Sequence, residues 1–169
     1  MTKHQRAIEV NAVIKAISDH GRRFFFNAAH QRVAFMDVGP RGHIFFTDDY
    51  SGKRVYISSS GRWHGFTHGG TLRHLVEMFA EYIRHGHKLH PDYIGIQNQS
   101  LVNGDIWGYG AEAVDAVRAA VLWSPVFNLL CPTCQHPLED ADISRQPPEP
   151  EFYICPKCYM CSRSTKEEI

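Results

Sequence analysis

Net charge is what this chain most plainly lacks: its 18 Lys and Arg are matched by 18 Asp and Glu. That balance excludes a uniformly basic nucleic-acid coat and a uniformly acidic mimic, and leaves local patches to be read along the chain. Long apolar runs are missing too. The opening MTKHQRAIEVNAVIKAI is polar-interrupted and has no apolar core of signal-peptide type, and nothing approaches a membrane-spanning stretch. The expectation is a cytoplasmic protein. Cysteine is absent until residue 131, and no HExxH, no HxE followed by a cysteine pair and no cluster of flanking carboxylates accompanies the histidines.

What is present describes a soluble globular protein. The 169 residues are 43% apolar and 21% charged, with 13 Gly and 9 Pro, enough to bury a core and neither disordered nor collagen-like. Ala7, Val10, Ile14 and Ile17 share one face at helical spacing, and Gly21 stands at a stop, predicting an amphipathic helix over 5–20. The period then changes to short aromatic or β-branched runs: RRFFFN, RVAFMDV, HIFFTDD and RVYISS. Their connections are too short for parallel crossovers, so they predict a four-stranded antiparallel β-meander. A second helix carries Leu72, Leu75, Val76, Phe79 and Ile83 as its stripe, with Thr71 as N-cap and Gly86 at its end. A third, over 110–123, uses Val114, Val117 and Val121 and stops before Pro125. The segment 87–110 reads as irregular, with a short hairpin near Asn103, and SRQPPEPE at 144–151 is of low complexity. The fold class is α+β: N-terminal helix, meander and two further helices over 1–125, then a small module over 126–169.

GRRFFF at 21–26, DDYSGKRVY at 48–56, WHGFTHGGTLRHLVE at 63–77 and DIWGYG at 105–110 carry a resemblance. Over residues 21–120 the chain resembles a family of small, uncharacterised proteins of proteobacterial genomes and mobile elements. The resemblance implies a bacterial or phage setting and one domain for this block; it implies no activity.

The last part of the chain has its own signal. Cys131-Pro-Thr-Cys134 and Cys155-Pro-Lys-Cys158 are two C-x2-C knuckles twenty residues apart. Zinc takes four soft ligands at tetrahedral corners, and two such turns joined by a hairpin supply them. The tail resembles a zinc ribbon, with Cys131, Cys134, Cys155 and Cys158 as ligands of one structural zinc per chain and Cys161 or His136 as substitutes. Four thiolates leave no open position for substrate, and so short a segment would draw its folding energy from the metal.

Charge is segregated despite the overall balance. Residues 21–75 hold eight Lys or Arg against three Asp, a net of +5, whereas residues 131–169 hold four basic and seven acidic side chains, a net of −3. Nucleic acid would therefore meet the sheet and its loops, through Arg22, Arg23, Arg54 and the 62–74 loop with Arg62, His64, His68 and Arg73. In that loop Gly69-Gly70-Thr71 opens a helix whose free N–H groups suit an anion; the glycines equally suit a loop passing under Trp63 and Phe66. Alternation places Phe24, Phe26, Ile44, Phe46, Val55 and Ile57 on one side of the strands and Phe25, Phe45, Arg54 and Tyr56 on the other. Either the second side is open and can stack unpaired bases, or both sides are buried.

Asp48-Asp49 precede a Tyr-Ser-Gly turn, where Asp is expected for its own backbone bonding rather than for catalysis. His85, His87 and His90 fall at a helix end, where a cation suits the macrodipole. The leading expectation is thus a non-enzymatic zinc-containing binding protein of bacterial, phage or mobile-element origin that engages nucleic acid or a nucleic-acid-handling complex. The alternatives are a protein–protein inhibitor or adaptor acting on a host defence complex, and a metal-dependent hydrolase built on the histidines. No oligomeric state follows from the sequence.

Overall fold

The computed structural model describes residues 1–21, 25–68, 70–90, 111–121, 124–128, 139–140, 152–154 and 161–163. The chain divides into two compact units, Met1–Phe127 and Asn128–Ile169. In the first, helix α1 (Lys3–Gly21) leads into β1 (Phe26–Asn27), β2 (Arg32–Val33), β3 (Phe35–Val38), β4 (Ile44–Thr47) and β5 (Arg54–Tyr56), followed by α2 (Gly70–His85) and α3 (Ala111–Val121). This is an α+β architecture. The described part of the second unit is a three-stranded antiparallel meander, β6 (Glu139–Asp140), β7 (Phe152–Ile154) and β8 (Cys161–Arg163).

The expected four-stranded meander is divided into two sheets. β1 pairs antiparallel with β2, and β3, β4 and β5 form a separate antiparallel sheet in that order. The run RVAFMDV breaks at Ala34, whose N–H still donates to the Phe25 carbonyl at 2.8 Å. Beyond that point the edge of β3 is already occupied. The Asn11 side chain of α1 accepts from the Met36 N–H at 2.7 Å and donates to the Met36 carbonyl at 2.8 Å, satisfying both backbone groups that a longer β1 would have paired. A helix residue thus closes the sheet edge, which otherwise offers unpaired N–H and C=O groups.

The core lies between one face of this sheet and the helices. Ile44, Phe46, Val55 and Ile57 point into it, as do Val10, Val13, Ile14 and Ile17 of α1 and the whole expected stripe of α2. α1 touches β3, α2 and α3, and α2 touches β4. Val13, outside the expected stripe, is buried because α1 is covered on more than one side. Phe25, not Phe26, faces inward at the first strand, packing edge-on against Phe46 at 6.2 Å and beside Phe79 at 6.4 Å. The parity expected for that strand is therefore reversed. Phe24, the segment 91–110 and Trp123 lie outside the described residues.

α2 begins at Gly70, one residue ahead of the expected cap, and ends where Gly86 takes a φ of +81° and its N–H reaches the Tyr82 carbonyl at 2.8 Å. Arg6 of α1 donates to the Ile83 and Arg84 carbonyls at 2.9 and 3.2 Å, a cation on the unpaired acceptors of the helix end. The buried Tyr82 hydroxyl donates to Glu9 at 2.7 Å, and burial together with that carboxylate pushes its pKa well above the ordinary phenol value. Replacing Asn11 with Ala leaves the Met36 N–H and C=O without their partner; a stability loss of about 1–3 kcal/mol is expected, read from the shift in the urea unfolding midpoint.

Candidate functional site

The chain turns sharply after β4, and the turn is built around a carboxylate with no solvent exposure. One Asp48 oxygen accepts from the Ser51 N–H at 2.7 Å and the Ser51 hydroxyl at 3.0 Å. The other accepts from the Thr67 N–H at 3.2 Å and the Thr67 hydroxyl at 2.8 Å. The Ser51 bond is the local Asp turn expected from the sequence. The Thr67 bonds are not local: they fasten the loop before α2 to the β4–β5 turn. Burial alone would raise the Asp48 pKa, but the four donors outweigh it and hold the group below its ordinary 3.8.

Asp49, also buried, meets His68. The His68 Nε2 lies 2.7 Å from Asp49 and 3.8 Å from the second oxygen of Asp48. The hydrogen bond to Asp49, helped by the charges of both carboxylates, raises the His68 pKa above 6.5 against the opposing effect of burial. The carboxylates thus favour the protonated imidazole, and its Nε2 is occupied by Asp49. On the outer side Arg32 donates to the Asp49 and Tyr50 carbonyls, both at 3.2 Å. Gly52 permits this: its φ is +68°, and a Cβ there would stand 2.7 Å from the Arg32 guanidinium.

Asp48, Asp49 and His68 could each offer one atom to a cation, the three atoms lying within 4.8 Å of one another. The donor set does not favour it. Each Asp48 oxygen already accepts two hydrogen bonds, and the His68 Nε2 is engaged with Asp49 at 2.7 Å, a contact that a metal at that nitrogen would have to break. The cluster works instead as a clasp, holding the 58–68 loop on the core side of the sheet. Along that loop Trp63 is buried, donates to the Ser58 carbonyl at 3.2 Å and meets Phe66 edge-on at 5.3 Å; Phe66 in turn packs on Phe46 at 5.5 Å.

The other face of β3–β4–β5 is open. Phe35 and Tyr56 are 44% and 47% exposed, and Phe45 is half-buried between its neighbours. Tyr56 stands beside Phe45 at 5.6 Å and beside His43 at 5.1 Å. The Arg54 guanidinium lies 3.7 Å above the Phe45 ring and forms a two-point ion pair with Asp37. Asp37 and Phe35, like Phe45, Arg54 and Tyr56, follow from alternation once the register Asp37↔Phe45↔Tyr56 is known.

The residues proposed from sequence fall in different settings. Arg54 is on the open face, in an ion pair. Arg62 and His64 are exposed on the loop. Arg73 is half-buried, 4.4 Å over the Trp63 ring and donating to the Gly61 carbonyl at 3.0 Å. Arg22 and Arg23 lie outside the described residues, as do Cys131, Cys134, Cys155, Cys158 and His136; Cys161 is in strand β8. On α2, Glu81 pairs with Arg84 at 2.6 Å and lies 3.8 Å from His85. His85 stacks with His87 at 5.4 Å. Sequence reading missed Asn11 and Thr67, both of which act across long chain separations and leave no local signal.

Two comparisons with known proteins give matches. The family model described as YoqU matches residues 1–122. The chain belongs to the YoqU family. It is 33% identical over 116 residues to the "SPbeta prophage-derived uncharacterized protein YoqU" of Bacillus subtilis (strain 168), an alignment spanning 68% of this chain and 77% of that relative. The family match thus takes in α1, which the sequence resemblance left out, and this relative comes from a Bacillus strain. No solved structure gives a significant match. Among the described residues no helix is long and apolar enough to cross a membrane.

The clasp has a pH signature. Because His68 titrates higher in the fold, its contribution is complete below its ordinary 6.5 and is lost as pH rises through the raised value. Asp48 runs the other way: its contribution is complete above 3.8 and is lost as pH falls through the lowered value. Urea unfolding across pH should give greatest stability between roughly pH 4 and 6.5 and a decline on the alkaline side. His68→Gln should flatten that alkaline decline; an unchanged profile in the variant would remove His68 from the account.

Proposed function

We propose that this chain is a non-enzymatic binding protein of phage or mobile-element origin that engages nucleic acid, or a complex handling it, through the open sheet face and the 62–74 loop. One observation carries this reading. The sheet half of the sequence has only three carboxylates, and folding occupies all of them: Asp37 with Arg54, Asp48 with the Ser51 and Thr67 donors, Asp49 with His68. Among the described residues Arg32, Arg41, Lys53, Arg62 and Arg73 then stand in no ion pair. Arg41 and Lys53 lie in the turns at the two ends of the face that carries the exposed aromatics, and Arg62 and Arg73 belong to the separate 62–74 loop; cations left without partners in this way suit a polyanion. The closed donor set of the Asp48 cluster supports binding over hydrolysis.

Labelled oligonucleotides followed by fluorescence anisotropy test this. If about five phosphates are neutralised, log K should fall with log salt at a slope of about −4, and Arg62→Ala should reduce the slope by about 1. Binding that ignores salt would refute phosphate contact.

The reading includes one structural zinc in the tail, held by Cys131, Cys134, Cys155 and Cys158, with Cys161 as alternative. The strand register supports it. Glu139 pairs with Ile154, the residue directly before Cys155, and Cys134 lies only five residues ahead of Glu139, so both knuckles adjoin one end of the β6–β7 ladder in sequence. Elemental analysis of the purified chain should give one zinc per molecule, and Cys155→Ser should lose it. Chelation should raise hydrogen exchange in the second unit while leaving α1, α2 and the β3–β5 sheet protected.

A further inference from the structure

Resting on the nucleic-acid reading above, we infer that the open face of β3–β4–β5 is a stacking platform for an unpaired polynucleotide, with Tyr56, the Arg54 guanidinium and Phe35 as its stations. The sequence suggests Arg54 as a phosphate contact. Its geometry assigns it another use. The guanidinium is already neutralised by Asp37 and sits 3.7 Å over the Phe45 ring, while its side chain remains 49% exposed. A guanidinium fixed in that way has little charge left to offer a phosphate but presents a rigid, open plane on which a base can stack.

Tyr56 is held in a similar manner. His43 and Phe45 flank its ring at 5.1 and 5.6 Å, so its orientation is set before any ligand arrives, and 47% of the residue remains exposed. Phe35 lies two strands away and two residues along, about 12 Å from Tyr56 by ordinary strand spacing, with Arg54 next to the path between them. Three planar groups therefore run diagonally across one sheet. Bases inside a duplex have no free faces to offer such a row; unpaired bases do.

The uncompensated cations lie where a backbone crossing this face would pass. Arg41 belongs to the β3–β4 turn, where Lys3 also reaches, donating to the Gly42 carbonyl at 3.4 Å. Lys53 belongs to the β4–β5 turn at the opposite end, where Arg32 lies over Asp49 and Tyr50. Charge sits at the two ends of the sheet, and planar groups fill the middle.

The test compares binding of the full chain to oligo-dT, oligo-rU and a mixed-sequence duplex of equal length, by anisotropy at fixed salt. Either single strand should bind at least tenfold tighter than the duplex, and the dT and rU arms separate DNA from RNA as its source. Tyr56→Ala should weaken single-strand binding by about 5- to 100-fold, Tyr56→Phe should restore it, and Arg54→Lys, which keeps the charge beside Asp37 but loses the plane, should weaken it as well. Unchanged thermal melting of these exposed-site variants secures their fold. Equal affinity for duplex, or a single-strand preference that survives Tyr56→Ala, overturns the platform while salt-dependent binding upholds the broader reading. No binding to any of the three oligonucleotides sinks both. A concentration-dependent dimer abolished by Tyr56→Ala, with no oligonucleotide bound, assigns the face to a second copy of the chain and overturns the platform too.

Discussion

Asp48 has no access to solvent, and its charge survives burial only because four donors surround it. Two come from Ser51 in the same turn and two from Thr67, nineteen residues away. An ionised carboxylate in that position is costly unless each lone pair is met, so the turn and the returning loop are energetically one object. The consequences spread outward from it. Thr67 and His68 fix the end of the 58–68 loop; Phe66 is set against Phe46 and Trp63; α2 starts two residues after His68 and lays its apolar stripe into the core. Because the loop is held on the core side, the opposite face of the sheet has no cover from it.

Much of this arrangement was legible in a period of two. Ile44, Phe46, Val55 and Ile57 alternate with Phe45, Arg54 and Tyr56, and the structure buries the first group and leaves the second half-buried or exposed. The alternation is informative there because one polar side chain, Arg54, fixes the parity. It fails at Phe24-Phe25-Phe26, where three identical side chains give no parity, and the inward residue is chosen by the bond from Ala34 to the Phe25 carbonyl. The division of the meander was equally hidden. Nothing in RVAFMDV signals a break; the cause is Asn11, twenty-five residues upstream and on a helix. The candidate site divides along the same line. Asp48 with Ser51 is a local turn and could be read directly, whereas Thr67 and His68 reach the carboxylates only through the fold. Carboxylate pairing made His68 a partner of acids rather than a free cation of an anion-binding loop.

Folding also sharpens a charge separation that the overall composition conceals. The whole chain is neutral, and residues 21–75 are basic only by a margin of five. Once Asp37 is tied to Arg54 and the other two acids are buried with His68, the acids of this segment no longer offset Arg32, Arg41, Lys53, Arg62 and Arg73 at the surface. Asp48 and Asp49 are withdrawn from solvent and Asp37 is engaged by Arg54, while Arg41, Lys53 and Arg62 remain at the surface without a carboxylate partner. The segment 131–169 carries the compensating acidity, with seven acidic side chains to four basic ones. A polyanion approaching this protein is steered by that distribution, not by the net charge.

The placement of Arg54 shows how the same side chain can serve stability and recognition without conflict. An exposed ion pair contributes little to folding, since solvent screens it and both side chains lose freedom. The Arg54–Asp37 pair is exposed in this way, yet it is joined to a cation–π contact with Phe45, which in turn supports Tyr56. The chain Asp37–Arg54–Phe45–Tyr56–His43 therefore orders a row of planar groups at a site where a core requires none of them. A polar side chain at 35 or 56 would satisfy a solvent-facing strand at least as well as Phe35 or Tyr56. Planar groups presented to solvent, with cations at either end, have a physical rationale when flat, apolar surfaces on a charged backbone are to be held.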